Sequence, residues 1–275
     1  MATKIFVPQE ASDWDNYWRQ ANFKQELAYC ETDGLLPIFN RFLNEKQRIL
    51  EAGCGLGKWI VYWSKCDYNI VGVDTNGQAL RRLKRRYPEV MVTMGDVNRL
   101  PVLSEIFDVY ISLGVIEHFR KGPEVALAEA FRVLKPGGTA IIEVPIDNIM
   151  RKWWRFLSGG IRVVKLPARW IVDGLGLRAK RKVANMTFYE YRYTASELAG
   201  FIRAAGLELM ELLPKDDLAK EKSIGLWLDF PRLRASGVAD FSLKPIGQLI
   251  KRWYDRLGWQ SVYSACVVGV ARKPT

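Results

Sequence analysis

Short apolar runs alternate with amphipathic stretches through most of this chain. Residues 14–30, aromatic and mixed polar, predict a helix with Trp14, Tyr17 and Trp18 on its first turns, and residues 35–43 predict a second. The pattern then becomes regular. Ile49–Ala52, Asn69–Asp74, Val90–Met94, Phe107–Leu113 and Thr139–Val144 read as buried strands, the last an uninterrupted apolar run. Trp59–Lys65, Gly77–Tyr87 and Pro123–Leu134 read as the helices between them, the third stopped by Lys135-Pro-Gly-Gly. Strand then helix, repeated over short connections, implies right-handed βαβ units and a parallel sheet. The rhythm breaks after residue 146 and resumes at Thr194–Ala205, where Thr194 and Glu197 form a capping box and Gly206 ends the helix. Leu207–Leu213 and Tyr263–Arg272 predict two further strands.

The expected organisation is a single domain over residues 1–275, with a helical N-terminal cover (1–44) and two insertions, 147–193 and 215–259. Both insertions leave strand ends at the carboxyl edge of the sheet, where ligands bind in open α/β folds, so both are expected to lie over the site as lids or acceptor-binding elements. In the second, Ile246, Leu249, Ile250, Trp253, Tyr254 and Leu257 follow helical spacing over 244–258, and core packing is expected for them.

Charge changes the picture in one place. The chain of 275 residues carries a formal net charge of +11, and residues 151–182 hold ten Lys/Arg against the single acid Asp173. Across 149–182, Trp, Phe, Leu, Ile and Val alternate with these bases, the composition of an interfacial element that an anionic membrane surface would attract. The same composition suits single-stranded RNA less well, since no RNA-binding motif accompanies it, or it forms a lid with solvated charges. The four cysteines, Cys30, Cys54, Cys66 and Cys266, show no paired spacing, so neither a disulfide framework nor a zinc site is expected. With no apolar leader and no run of 18 uncharged apolar residues, the expected location is cytoplasmic, or peripheral at the inner membrane surface.

The chemistry concentrates at strand ends. Glu51-Ala-Gly-Cys-Gly-Leu-Gly closes the first strand, and glycines there let a backbone turn tightly against a ligand. Asp74 ends the second strand, where a carboxylate can accept both hydroxyls of a ribose. Asp96 ends the third, where an acid can sit by the exocyclic amine of an adenine. A nicotinamide-dinucleotide site would share the first two features. However, Gly53, Gly55 and Gly57 give GxGxG, and Lys58 stands where the dinucleotide fingerprint has its third glycine.

Five stretches in order carry a family resemblance: Ile49-Leu-Glu-Ala-Gly-Cys-Gly-Leu-Gly, Val71-Gly-Val-Asp, Gly95-Asp-Val-Asn, Phe107-Asp-Val-Tyr-Ile-Ser-Leu-Gly-Val-Ile-Glu-His and Arg132-Val-Leu-Lys-Pro-Gly-Gly. They resemble the class I S-adenosylmethionine-dependent methyltransferases, in the broad group acting on small molecules. The match is strong over 45–145 and weaker over 194–213 and 263–272. The resemblance implies a Rossmann-like, doubly wound α/β fold with a seven-stranded sheet of order 3-2-1-4-5-7-6, strand seven antiparallel, and helical lid insertions. It implies S-adenosylmethionine as cofactor and S-adenosylhomocysteine as product. Asp74, with Thr75 beside it, would meet the ribose, and Asp96, with Val97, the adenine. Glu51, Gly53, Cys54, Gly55 and Gly57 would lie beside the methionine part, Leu113 and its neighbours at the sulfonium, and Tyr17 and Trp18 over the cofactor. No metal is implied.

Two features bear on the acceptor. His118 is the only histidine, so it either serves as the general base for a hydroxyl acceptor or orders its loop with Glu117. Alternation places Tyr189, Tyr191 and Tyr193 on one side of an extended segment, either as a packing strip or as the wall of an acceptor pocket. The expected activity is methyl transfer to a small hydrophobic or amphipathic acceptor, at oxygen. RNA or protein methylation and a non-catalytic scaffold stand as alternatives.

Overall fold

A computed structural model describes residues 2–8, 18–153, 186–235 and 240–275. Most of the basic insertion, and Trp14 and Tyr17 at the start of the helix expected over 14–30, lie outside the described residues, while that stretch is helical over 18–20 and again over 23–30.

The sheet forms from the apolar runs. Its strands are β2 (Arg48–Ala52), β3 (Asn69–Asp74), β4 (Met91–Met94), β5 (Phe107–Leu113), β6 (Leu134–Pro145), β8 (Glu208–Lys215) and β9 (Cys266–Arg272). Their spatial order is β4-β3-β2-β5-β6-β9-β8. Counted from β2 as the first strand, this is 3-2-1-4-5-7-6, and β9 runs antiparallel to both its neighbours.

Period-two alternation feeds two cores. Leu50, Ala52, Tyr110, Val267 and Ala271 face one side, packed by α5 (Glu124–Val133) and α6 (Ala195–Ala204). Ile49, Val109, Ile111, Val268 and Val270 face the other, packed by α1 (Phe23–Cys30), α2 (Leu36–Phe42), α3 (Lys58–Ser64) and α4 (Gly77–Arg86). The ring of Phe39 meets that of Trp59 edge-on at 4.8 Å, locking α2 onto α3. The expected capping box is present: the Thr194 hydroxyl accepts from Glu197 N, and Glu197 Oε2 accepts from Thr194 N at 2.9 Å.

Four expectations are corrected. The N-terminal cover begins with a strand, β1 (Thr3–Pro8), paired antiparallel with β7 (Met186–Arg192) in a separate two-stranded sheet. A β-bulge in β7 breaks the tyrosine alternation: Ile5 pairs with Glu190 and Phe6 with Phe188, so Tyr189 is the extra residue. Tyr263 closes a helical turn, α9 (Gln260–Tyr263), and β9 starts three residues later.

The fourth concerns α8 (Pro245–Arg256). Ile250 and Tyr254 do pack on a small third core with Trp227 of α7 (Ile224–Asp229), Leu243 and Tyr263. Ile246, Leu249, Trp253 and Leu257 instead face solvent, 43–58 % exposed, while Gly247 and Lys251 are buried.

Candidate active site

The glycine loop leaves β2 and enters α3. Gly53, Gly55 and Gly57 all have positive φ, a region that disfavours side chains. Space enforces the same choice: a Cβ on Gly55 would run into the indole of Trp18, and one on Gly53 into Val115. Trp18 thus lies over the loop. Arg82 of α4 holds it there by donating to the carbonyls of Trp18, Arg19 and Ala21.

The loop's own hydrogen bonds say what it can bind. Gly53 N and Cys54 N donate to Val73 O at 2.7 and 3.1 Å, Gly57 N to Cys54 O at 2.7 Å, and Gly55 N to Asp74 Oδ2 at 2.7 Å. Four amides are therefore committed to the protein, which leaves no phosphate cradle of the dinucleotide kind. Asp74 is held on both sides, since its Oδ1 accepts from Asn76 N at 2.8 Å, and it stays half-buried at the end of β3. Asp96 is exposed, with Oδ1 accepting from Asn98 N at 2.8 Å. Thr75 is exposed in the turn, whereas Val97 is buried in the core. Cys54 packs its sulfur toward Gly72 inside the sheet, and burial pushes its thiol well above the usual range, so it offers backbone only.

Beside the loop lies a cavity of about 260 Å³ lined by Trp18, Glu51, Gly53, Leu113 and Gly114, with a buried charged network along one wall. Lys58 Nζ and Lys215 Nζ reach Asp33 at 3.1 and 2.9 Å, and Lys215 also reaches Glu143 at 3.3 Å. Burial opposes the charge on Asp33, but Lys215 and Lys58 outweigh it and hold its carboxyl below the usual range. Burial likewise opposes the Lys215 charge, and Asp33 and Glu143 more than restore it.

Glu51 differs. It is 4 % exposed, its Oε2 has no partner, and burial pushes its pKa up to about 8, with Lys58 pulling down and Asp74 adding to the rise. An unsatisfied buried carboxyl beside a balanced acid–lysine chain fits a ligand carrying an ammonium and a carboxylate, as the methionine part of S-adenosylmethionine does. Sequence reasoning missed Asp33, Lys215, Glu143 and Arg82. Glu143 and Lys215 lie near strand ends at the carboxyl edge, a signal that could have found them.

His118 sits in a single helical turn (Ile116–His118) after β5. Its Nδ1 donates to the carbonyl of Tyr189 at 2.7 Å, a group the bulge frees from the ladder. Nε2 then carries the lone pair, 3.8 Å from Glu117 Oε1. Burial lowers the pKa of His118, so the ring is neutral at neutral pH, and burial raises that of Glu117 well above the usual range. The three tyrosines separate. Tyr193 is core, 2 % exposed. Tyr191 stacks on it at 5.6 Å and donates its hydroxyl to Arg120 O, while Tyr189 packs edge-on against His118. Tyr191 and Tyr193 thus form a packing strip.

Residues 50–142 match the methyltransferase domain family. A probable S-adenosylmethionine-dependent methyltransferase of Mycolicibacterium smegmatis is 32 % identical over 97 residues, 35 % of this chain and 37 % of the relative. A malonyl-[acyl-carrier protein] O-methyltransferase of Pectobacterium atrosepticum is 24 % identical over 46 % of this chain and 51 % of its own. A tRNA (carboxymethyluridine(34)-5-O)-methyltransferase of Arabidopsis thaliana is 30 % identical over 51 % of this chain and 34 % of its own. The chain thus spans about half the length of these curated relatives, or less. Among solved structures, a chain from the complex between the Haloferax volcanii Trm112 methyltransferase activator and a methyltransferase superposes with a TM-score of 0.60. It is 17 % identical and covers 96 % of this chain and 99 % of that one.

Proposed function

We propose that the chain is a class I S-adenosylmethionine-dependent methyltransferase, a reading supported by the match of residues 50–142 to the methyltransferase domain family, and that it methylates a small hydrophobic or amphipathic acceptor at oxygen. The observation that carries the reading is the cavity at the end of β2. Its unpartnered Glu51 oxygen, the lysine–carboxylate chain beside it and the Asp74 carboxylate that accepts from Gly55 N of the neighbouring loop together suit a nucleoside joined to an amino acid. When bound, the sulfonium of such a cofactor supplies a methyl group with a good leaving group. The protein's task is then alignment and exclusion of water.

Glu51 would hold the ammonium and Asp74 the ribose, with Trp18 closing over the loop. For a hydroxyl acceptor, His118 is the candidate general base. Its Nδ1–H is fixed on Tyr189 O, so Nε2 would be the atom that takes the hydroxyl proton. Oxygen as acceptor is supported by the names of the Pectobacterium and Arabidopsis relatives, which are both O-methyltransferases.

The test is transfer from methyl-labelled cofactor into a cell extract, with label counted in lipid, polar small-molecule, RNA and protein fractions. Label in the lipid fraction supports the proposal. Label in RNA replaces it with the polynucleotide reading favoured by the tRNA-methylating relative and by the ten bases of residues 151–182. Failure to bind cofactor at millimolar concentration removes both.

A further inference from the structure

Helix α8 is amphipathic in the opposite sense to a surface helix of a soluble protein. At about 100° per residue, Leu249, Trp253, Ile246 and Leu257 fall within a sector of roughly 80°. That sector faces solvent, with exposures of 58, 55, 55 and 43 %, and Trp259 just beyond the helix is 50 % exposed. The inward face carries Gly247, Ile250, Tyr254 and Lys251. Lys251 is 2 % exposed, and its ammonium donates to Asp217 O and Ala219 O, both at 2.7 Å. The helix is therefore held in this orientation by its own polar contacts.

Large apolar side chains gathered on one exposed helix face mark an interaction site. The charges around it identify the partner. Arg252 and Arg256 border the apolar sector on one side and Lys244 lies at the helix start, all three exposed. The one acid of the helix, Asp255, is turned back to the protein, where the Tyr263 hydroxyl donates to it. An exposed face of aliphatic side chains and tryptophans, edged by the cations of its own helix, matches an anionic bilayer surface. The helix has 12 residues, and none among the described residues is long and apolar enough to cross a membrane, so it would lie in the interface. Helical residues 149–153, which pack Met150 on the same small core, leave Ile149 and Trp153 53 and 62 % exposed.

We infer that α8 is an interfacial docking helix that seats the protein on an anionic lipid surface through Leu249, Trp253, Ile246 and Leu257, with Arg252 and Arg256 at the headgroups. This assignment stands apart from the transfer reaction, because none of these residues lines the cavity beside the glycine loop.

The test is flotation of the full chain with phosphatidylcholine vesicles, with and without phosphatidylglycerol. The wild type is expected to float with the anionic vesicles only. Leu249→Glu/Trp253→Glu, at exposed positions that leave the fold intact by thermal melting, is expected to lose more than about tenfold in partitioning. Arg252→Gln/Arg256→Gln keeps every apolar contact and is expected to lose roughly 30-fold at low salt, about 1 kcal/mol per charge. Absence of vesicle binding by the wild type overturns the inference. So does binding that survives the α8 variants but is lost on replacing Arg178, Lys180, Arg181 and Lys182 with Gln. A dimer that the Leu249→Glu/Trp253→Glu variant dissolves, without vesicle binding, also overturns it and makes the face a contact between copies of this chain.

Discussion

Glu51→Gln tests the cofactor end of the site with an isosteric change of charge. In the wild type, burial moves the Glu51 carboxyl from 4.5 to about 8, so it is protonated at neutral pH. A ligand ammonium placed against it would reverse that preference, and binding would then expel the proton. The expected release is close to one proton at pH 6 and most of a proton at pH 7, with affinity rising up to about tenfold between them. Both pH values lie below the range where a ligand α-amino group itself titrates, about 7.7–8.0. Titration calorimetry in buffers of different ionisation enthalpy counts the protons directly. Glu51→Gln should bind without proton release and without the pH slope, and more weakly by about 1.5–3 kcal/mol, the worth of a hydrogen bond to a charged group. Stability offers a second readout with a fixed sign. A carboxyl whose folded pKa is raised stabilises the fold fully below its unfolded pKa, and that contribution is lost as pH rises through about 8. The ligand-free wild type should therefore lose stability from pH 4.5 to 8, on the order of 4 kcal/mol at most, and Glu51→Gln should not. Equal proton release in wild type and variant, or none in either, would refute the reasoning. The ammonium would then sit on Asp33 or Glu143, whose charges Lys215 already balances.

Three further outcomes are expected. Asp74→Asn should weaken cofactor binding by about 10- to 100-fold in a chain that still folds, at a stability cost of about 1–3 kcal/mol, because the Asn NH2 cannot accept from one of the two amides that Asp74 holds; equilibrium binding and thermal melting separate the two. Lys215→Met should cost about 3–5 kcal/mol in denaturant unfolding by stranding the Glu143 carboxylate and leaving Asp33 to Lys58 alone, and adding Glu143→Gln should recover part of it. His118→Asn should lower turnover by about 100-fold or more at unchanged cofactor affinity if Nε2 takes the proton; a loss of melting temperature with turnover unchanged would make it only the tether of β7 to the turn after β5.

The parallel half of the sheet was legible because each strand is a local apolar run and each connection is short. Ile49–Ala52 and Asn69–Asp74 carry their pairing partners and crossover helices within a few tens of residues. The candidate cofactor residues Gly53, Gly55, Gly57 and Asp74 inherit that legibility, since a strand end fixes where they stand. What was missed is made at long range. Thr3–Pro8 alternates weakly, and its partner β7 lies far along the chain, so neither segment announces the pair. The bulge at Tyr189 depends on that pairing, and with it the carbonyl that fixes the His118 tautomer. Asp33 meets Lys215 only because the loop before α2 bridges to the end of β8, through Asp33 and Asp217.

Helix α8 shows a different limit, one of sign rather than distance. Helical periodicity in 244–258 locates an apolar stripe and its axis, but it does not say whether that stripe faces the protein. The prior that apolar faces turn inward holds here for Ile250 and Tyr254 but fails for Ile246, Leu249, Trp253 and Leu257, and the polar contacts explain why. An ammonium is too costly to bury unless its donors are met, and Lys251 Nζ finds two backbone carbonyls between β8 and α7. Gly247 lets the helix close on Leu233 and Leu243, where a Cβ would come within 3.3 Å of each. Gly247 and Lys251 are one helical turn apart on the same side, and together they turn Leu249 and Trp253 outward. The stripe's orientation is thus set by the two residues of the helix least expected inside a core. An apolar face held outward by specific polar contacts is a surface kept for a partner.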